Sequence, residues 1–458
     1  MTKKFFNIFL IFFLLLTTTG CQLSSHGDDP REEITLKYWR VFDGRDAFSE
    51  IIERFNERHP NITIEYRKIR YEDYRDELLN AMAEDRGPDI FTIHNTWVRE
   101  YKNRIDTMPE SLKISRMVET GTIKKERELV VDTVSTMSLR ELRNNFVDVV
   151  YDDVVIKNEY EEEEVYGLPL SVDTLAMYYN RDLLNNAGIV SPPKYWDREF
   201  QRSVAELTKQ DSRGNIVQSG IAMGGSDNIE RSVDILSILM MQNGSEMMNE
   251  RGSVLFAESP GGSRGYNPGL EALRFYTDFA NPAKEVYCWN DNLDDSIKLF
   301  TEGKLAMMFG YSYHVPEIKS TAPNLRFDVT SLPQISESSR QINHANYWVE
   351  VVSHKSDHKD AAWNFLLFAT QEEQAKTYLD RTKKPTALKS LIEEQREDED
   401  LEVFADQLLT ARSWYQGYDS SAMEEVMREM IDDARNNPQE IEDAITRGAS
   451  RVGQTTRR

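Results

Sequence analysis

The chain has 458 residues, with 78 Asp and Glu against 55 Lys and Arg, and a formal net charge of −23 at neutral pH. So acidic a balance argues against nucleic acid or an anionic membrane surface as partner, because binding to phosphates rests on clustered Lys and Arg, but it leaves a neutral ligand open. The length exceeds one ordinary core and no apolar run outside the N-terminus can span a bilayer, so about two or three globular domains and no internal membrane helix are expected.

Lys3 and Lys4 precede an apolar stretch from Phe5 to Leu16, and small residues then lead to Cys21. That order is an export signal over residues 1–20. Residues 21–33 are polar, with Gly, Ser and Pro, and fit a flexible tether.

Ile34, Leu36 and Tyr38 alternate with Thr35, Lys37 and Trp39 in a first strand. Phe48, Ile51, Ile52 and Phe55 then fall at helical spacing, stopped by His59-Pro60. A second strand through Ile62, Ile64 and Tyr66, a helix through Leu78, Leu79 and Met82, and an apolar strand over 89–93 follow. Strand, helix, strand, helix, strand opens a parallel α/β sheet with right-handed crossovers. Ligands of such sheets gather beyond the carboxyl ends of the strands. That rule singles out Trp39, Asp43, Asn95 and Trp97, although a Trp after a strand also serves as a half-buried cover residue.

Residues 101–160 are expected to hold two or three helices, one of them containing Leu139. The acidic run 159–164 reads as a solvated loop and not a metal site, since it lacks the Gly turn and alternating oxygen ligands of a calcium loop. No metal site is expected. In 166–189 a strand through Leu175, Met177 and Tyr179 turns at Asn180-Arg181 into a short helix, with Asp182 as its expected N-cap and Gly188 after its end.

Beyond it come a helix through Phe200, Val204 and Leu207, a strand over 221–223, a polar loop with Ser226, Asp227 and Asn228, and helices over 233–242 and 270–279. A polar loop with Trp289, a helix through Ile297 and Phe300, and a strand over 305–309 lead to Tyr311 and Tyr313. Later segments are a strand over 347–352 carrying Trp348, a helix over 361–369, and Trp414 before a last helix. That helix has Ser421 and Glu424 as a capping box and a core stripe from Met423 to Ala434. The tail after Gly448 is expected to fray.

The string Gly167-Leu168-Pro169, a short link, and a strand ending Tyr178-Tyr179-Asn180-Arg181-Asp182-Leu183-Leu184 resembles the central segment of the bacterial extracellular solute-binding proteins of ABC importers. The closest resemblance is to the carbohydrate-binding, maltose-binding-protein-like family. The opening "RFNERHPNITIEY" and "GPDIFTIHNTW" and the later "CWNDNLDDSIKLFTEGKLAMMFGYSYHV" resemble that family in order and spacing. The resemblance implies an α/β, two-lobed periplasmic-binding-protein fold of type II, each lobe a mostly parallel sheet flanked by helices. Residues 34–171 plus 333–382 would form one lobe and 172–332 plus 386–458 the other, with a hinge at 170–173, a return near 327–332 and a third crossing near 383–387.

It also implies an interlobe cleft to which Asp173, Ser226, Asp227, Trp289, Tyr311, Tyr313, Trp348 and Trp414 contribute. Sugar recognition asks for flat apolar faces and for paired polar groups that meet hydroxyls, which Trp, Tyr, Asp and Asn supply. Gly20 before Cys21 resembles a bacterial lipobox, which implies a lipid-modified Cys21 and an anchor on the outer face of the membrane, or in the periplasm. Thr18 stands where the pattern usually has Leu, so an ordinary cleaved signal or an uncleaved anchor is the alternative. With Cys21 lipidated, Cys288 is left unpaired and no disulfide forms.

The function implied is capture of a sugar or oligosaccharide for a membrane permease, by a monomer with no cofactor. The sequence holds no P-loop, H-E-x-x-H or C-x-x-C motif. The alternatives are a binder of a non-sugar solute (peptide, polyamine, glycerol phosphate, ferric ion) or a secreted carbohydrate-active enzyme.

Overall fold

The strand Ile90–His94 buries four successive residues, Ile90 to Ile93, the apolar run expected of a parallel strand covered on both faces. The computed structural model describes residues 31–121, 125–259 and 265–457. The export segment, Cys21 and the tether as far as residue 30 lie outside the described residues.

Ile90–His94 sits inside a four-stranded sheet ordered Trp348–Val352, Ile90–His94, Ile34–Arg40, Ile62–Lys68. The last three strands run parallel, and Trp348–Val352 runs against Ile90–His94 with Trp348 opposite His94. The helix Ser49–Arg58 buries Ile51, Ile52 and Phe55 against this sheet's core, the face its periodicity dictates. The second sheet is ordered Lys209–Gln210, Ile216–Ile221, Leu305–Gly310, Ala176–Asn180, Phe327–Thr330. It is mixed, because Ala176–Asn180 runs against both of its neighbours while Ile216–Ile221 runs parallel to Leu305–Gly310.

 The strand Ala176–Asn180 follows directly on the hinge residues Asp173–Thr174, which sets its direction.

Two hydrophobic cores result. The first gathers side chains from 34 to 172 and from 345 to 392, with Ala405, Leu408 and Ala411. The second takes 175 to 332, Phe404, and 415 to 452. Between them, Asp173–Thr174, Asn343–Asn346 and Ala411–Arg412 pair as one small three-stranded sheet. The chain therefore passes between the cores three times through a single hydrogen-bonded unit.

Two crossings differ from the sequence-based expectation. Phe327–Thr330 is an edge strand of the second sheet, and Gln334 bridges to Tyr195, so the return falls at Asn343–Asn346. Thr386 bridges to Ser171, but Ala387, Leu388, Leu391 and Ile392 turn back into the first core, which moves the third crossing to Ala411–Arg412.

Within 101–160, Leu139–Asn145 and Asp148–Val154 are helices, but Ser111–Thr120 and Glu126–Ser135 form a hairpin. Its outer half is largely exposed on both faces, so the sequence carries no apolar–polar alternation there. Asn180, not Asp182, caps the helix Arg181–Asn186, its Oδ1 accepting from the amides of Asp182 and Leu183. Asp419, not Ser421, caps Ser420–Asn436. The final helix runs Ile441–Thr455 without fraying at Gly448, where a Cβ would stand 2.4 Å from the sulfur of Met430.

Candidate functional site

The carboxyl ends of the first sheet carry a cluster of rings. Trp348, at the start of its strand, meets Phe42, Tyr71, His94 and Trp97 edge-on at centroid distances of 5.6, 6.2, 5.7 and 5.4 Å. Phe42 stacks on Tyr71 at 5.7 Å and 20°. Both rings are half exposed, at 50% and 54%. Phe42 has φ of 64°, a left-handed conformation that a bulky side chain adopts only where its surroundings impose it. The strain buys an apolar face turned to solvent.

A polar wall stands on the second lobe. Arg231, also left-handed with φ of 60°, precedes the helix Ser232–Gln242 and pairs with Asp234 at 2.7 Å. The Tyr311 hydroxyl donates to Asp234 Oδ2 at 2.6 Å and lies 3.0 Å from His344 Nδ1. Tyr313 stacks on Tyr311 at 5.8 Å and leaves 45% of its surface exposed.

Burial pushes the Asp234 carboxyl up, but Arg231, His344 and the hydrogen bonds outweigh it and hold it well below the usual carboxylate range. Burial, and next the Arg231 charge, push His94 down to about 4. Tyr71 is raised by burial and next by Glu424. His94 and Tyr71 belong to the first lobe and Arg231 and Glu424 to the second, so the two walls face each other.

A cavity of about 340 Å³ opens on the second-lobe side, lined among others by Ser226, Glu230, Arg231, Asp234, Glu424 and Arg428. Its size is in the range of small-molecule sites, about 300 to 1,000 Å³. A hollow of about 410 Å³ is lined by residues between Lys376 and Leu401 and shares none of them with either wall.

The hinge locks into this arrangement through Asp173. Its carboxylate accepts from the Ser312 amide at 3.0 Å, the Ser312 hydroxyl at 2.6 Å and the Thr174 amide at 2.8 Å, and burial pushes it up to about 6. It thereby ties the hinge strand to the loop of Tyr311 and Tyr313. Asp43 accepts from Lys384 at 2.7 Å and Tyr378 at 2.8 Å and lies 3.3 Å from Arg40, which itself pairs with Glu350. Burial pushes Asp43 up, yet Arg40 and Lys384 prevail and lower it.

Of the residues expected at the cleft, the structure brings together Trp97, Trp348, Tyr311, Tyr313 and Asp173. Asn95 is buried and donates to Asp153 at 3.0 Å, where Tyr347 and Ser413 also bond. Ser226 bonds to Asp432 at 2.8 Å on the cavity rim, and Asp227 is 85% exposed. Trp289 is fully buried in the second core, its Nε1 donating to Asn228 at 2.9 Å, and offers the cleft no face. Trp39 is buried with the Arg67 guanidinium 4.8 Å from its ring, and Trp414 packs on the second core and donates to Ser237 at 3.1 Å.

Phe42, Tyr71, His94, Arg231, Asp234, His344 and Glu424 were not anticipated. Phe42 and Tyr71 lie just past the ends of the first and second strands, where the strand-end rule points; the other five carry no local signal.

The family model for bacterial extracellular solute-binding proteins matches residues 43–376. The chain belongs to that family. A protein of Brucella abortus named as a binding protein is 23% identical over 77% of this chain and 74% of its own. The galactooligosaccharide-binding protein of Bacillus subtilis is 22% identical over 65% of this chain and 68% of its own.

Among solved structures, a cyclo/maltodextrin-binding protein complexed with maltotetraose superposes with a TM-score of 0.69 at 15% identity, over 92% of this chain and 96% of that one. A Thermotoga lettingae solute-binding protein bound with α-D-tagatose gives 0.63 at 18% identity, over 92% of this chain and all of the other. The solute-binding protein thus has the two-lobed periplasmic-binding-protein fold. No helix among the described residues is long and apolar enough to cross a membrane.

Proposed function

We propose that this solute-binding protein captures a sugar or oligosaccharide between its two lobes and hands it to the permease of an ABC importer. The observation that carries this is the pairing of walls: half-exposed Phe42 and Tyr71 on one lobe, Tyr313 with the fixed Arg231–Asp234 pair on the other. Aromatic faces take the C–H patches of a sugar ring, each worth on the order of 1 kcal/mol beyond area burial. The Arg231–Asp234–Tyr311 network is already hydrogen-bonded, so it can meet hydroxyls at little ordering cost.

The names and ligands of the relatives support the same class of solute. Ligand contacts made to both lobes at once favour the closed arrangement, with the three hinge strands as the axis. The protein acts as a binder and not a catalyst, as a monomer held at the outer face of the membrane by a lipid on Cys21.

The test is a thermal-shift and calorimetry screen of the chain from residue 22 onward against maltotetraose, galacto-oligosaccharides and tagatose. A bound sugar raises the melting temperature by mass action. Phe42→Ala and Tyr313→Ala are each expected to weaken binding about tenfold while the circular dichroism is unchanged. No stabilisation by any sugar, or release of shorter sugars from an oligosaccharide, overturns the proposal.

A further inference from the structure

Two helices meet across the cleft, Tyr71–Ala83 from the first lobe and Ser420–Asn436 from the second. Each turns a pair of residues one turn apart toward the other, Tyr71 with Arg75 and Ser421 with Glu424. Arg75 Nη1 donates to the Ser421 hydroxyl at 2.9 Å. Its Nη2 pairs with Glu100 at 2.7 Å, and its guanidinium lies 5.2 Å from the Trp97 ring centroid.

Glu100 is only 15% exposed and burial raises its carboxyl, so it holds Arg75 in one orientation from inside the first lobe. The neighbouring Arg99 bonds to Gln416 at 2.9 Å, and Gln416, which follows Tyr415 of the second core, also donates to the first-lobe carbonyl of Asp152 at 3.1 Å. All three bonds join residues carried by different cores, and of them the bond from Arg75 to Ser421 alone links the two helices that meet across the cleft.

We propose that Arg75 is the latch of the cleft. It is a positioning residue, fixed by Glu100 and covered by Trp97, that bonds Ser421 only when the lobes are closed. One guanidinium then touches both a ring of the ligand wall and the opposite lobe, so filling the cleft beside Trp97 and fastening it become a single event. The latch rests on the closing-cleft reading but not on the ligand being a sugar.

The experiment reads the share of ligand-free protein that is closed, from the mean distance between fluorophores on Glu53→Cys and Asp294→Cys; both positions are exposed and the native Cys288 is buried. Arg75→Ala and Ser421→Ala are each expected to lengthen the interlobe distance, and to speed dissociation of any ligand found by about fivefold, the weight of a part-exposed charged hydrogen bond. Arg75→Lys, which keeps the charge near Glu100 and loses the second arm, is expected to fall between.

Unchanged distances in both alanine variants overturn the latch, as does lengthening with Arg75→Ala alone, which would place the effect inside the first lobe. Should Arg75→Ala fail to fold, Ser421→Ala decides alone, since its hydroxyl makes no bond within the second core. Longer distances without any sugar bound leave the latch standing and remove only the proposed ligand.

Discussion

Asp173 was expected to meet the ligand, yet three donors already occupy its carboxylate and burial pushes it up to about 6. A folded value above the unfolded one means that the folded protein holds this proton more tightly. Keeping Asp173 ionised above pH 6 therefore costs stability, and the cost shrinks as pH falls from 6 toward 4. Urea midpoints of wild type and Asp173→Asn, compared from pH 7 to pH 4, are expected to show wild type gaining on the variant as pH falls; a constant difference refutes this. At this scale the sequence was only partly legible. The strand-end rule led to Trp97 and the family resemblance to Trp348, but whether a ring past a strand faces the cleft depends on backbone conformation, and nothing in the residue type announces φ of 64° at Phe42. Trp289 fails for the opposite reason: its partner Asn228 lies 61 positions away in sequence, so its inward turn is a tertiary event.

Most elements followed from periodicity, because each is a stretch with one face committed to a core. Ser49–Arg58, Arg198–Leu207 and Lys359–Ala369 were readable for that reason. The hairpin Ser111–Thr120 with Glu126–Ser135 was not, since only its base is committed. Leu112 and Ile114 enter the first core and the Lys113 amide donates to Asp360 at 2.9 Å, whereas the outer half is exposed or only partly covered. Arg116 and Val130 stand opposite each other, so replacing residues 117–129 by Asn-Gly joins them in a two-residue turn. Calorimetry is expected to place the melting temperature of this variant within about 1 °C of wild type, a shift of about 1 kcal/mol for a chain this long. A larger drop would mean that the outer half is part of the core after all.

Across the whole molecule, the two-lobed arrangement was legible from segments in family order, but the places where the chain crosses were not. The crossings are chosen by which core accepts Leu388 and Leu391, not by local propensity. With all three paired in one sheet, relative motion of the lobes reduces to rotation about that sheet. Small-angle scattering is expected to record a smaller radius of gyration once the cleft is filled; an unchanged radius with a saturating ligand excludes closure. The same threading dictates an order of assembly. The five strands of the second sheet lie within one unbroken stretch, 176–330, while the first sheet waits for Trp348–Val352 to supply its edge. A growing chain can therefore complete the second sheet while the first still lacks a strand, and the sheet that begins nearest the N-terminus is the one finished last.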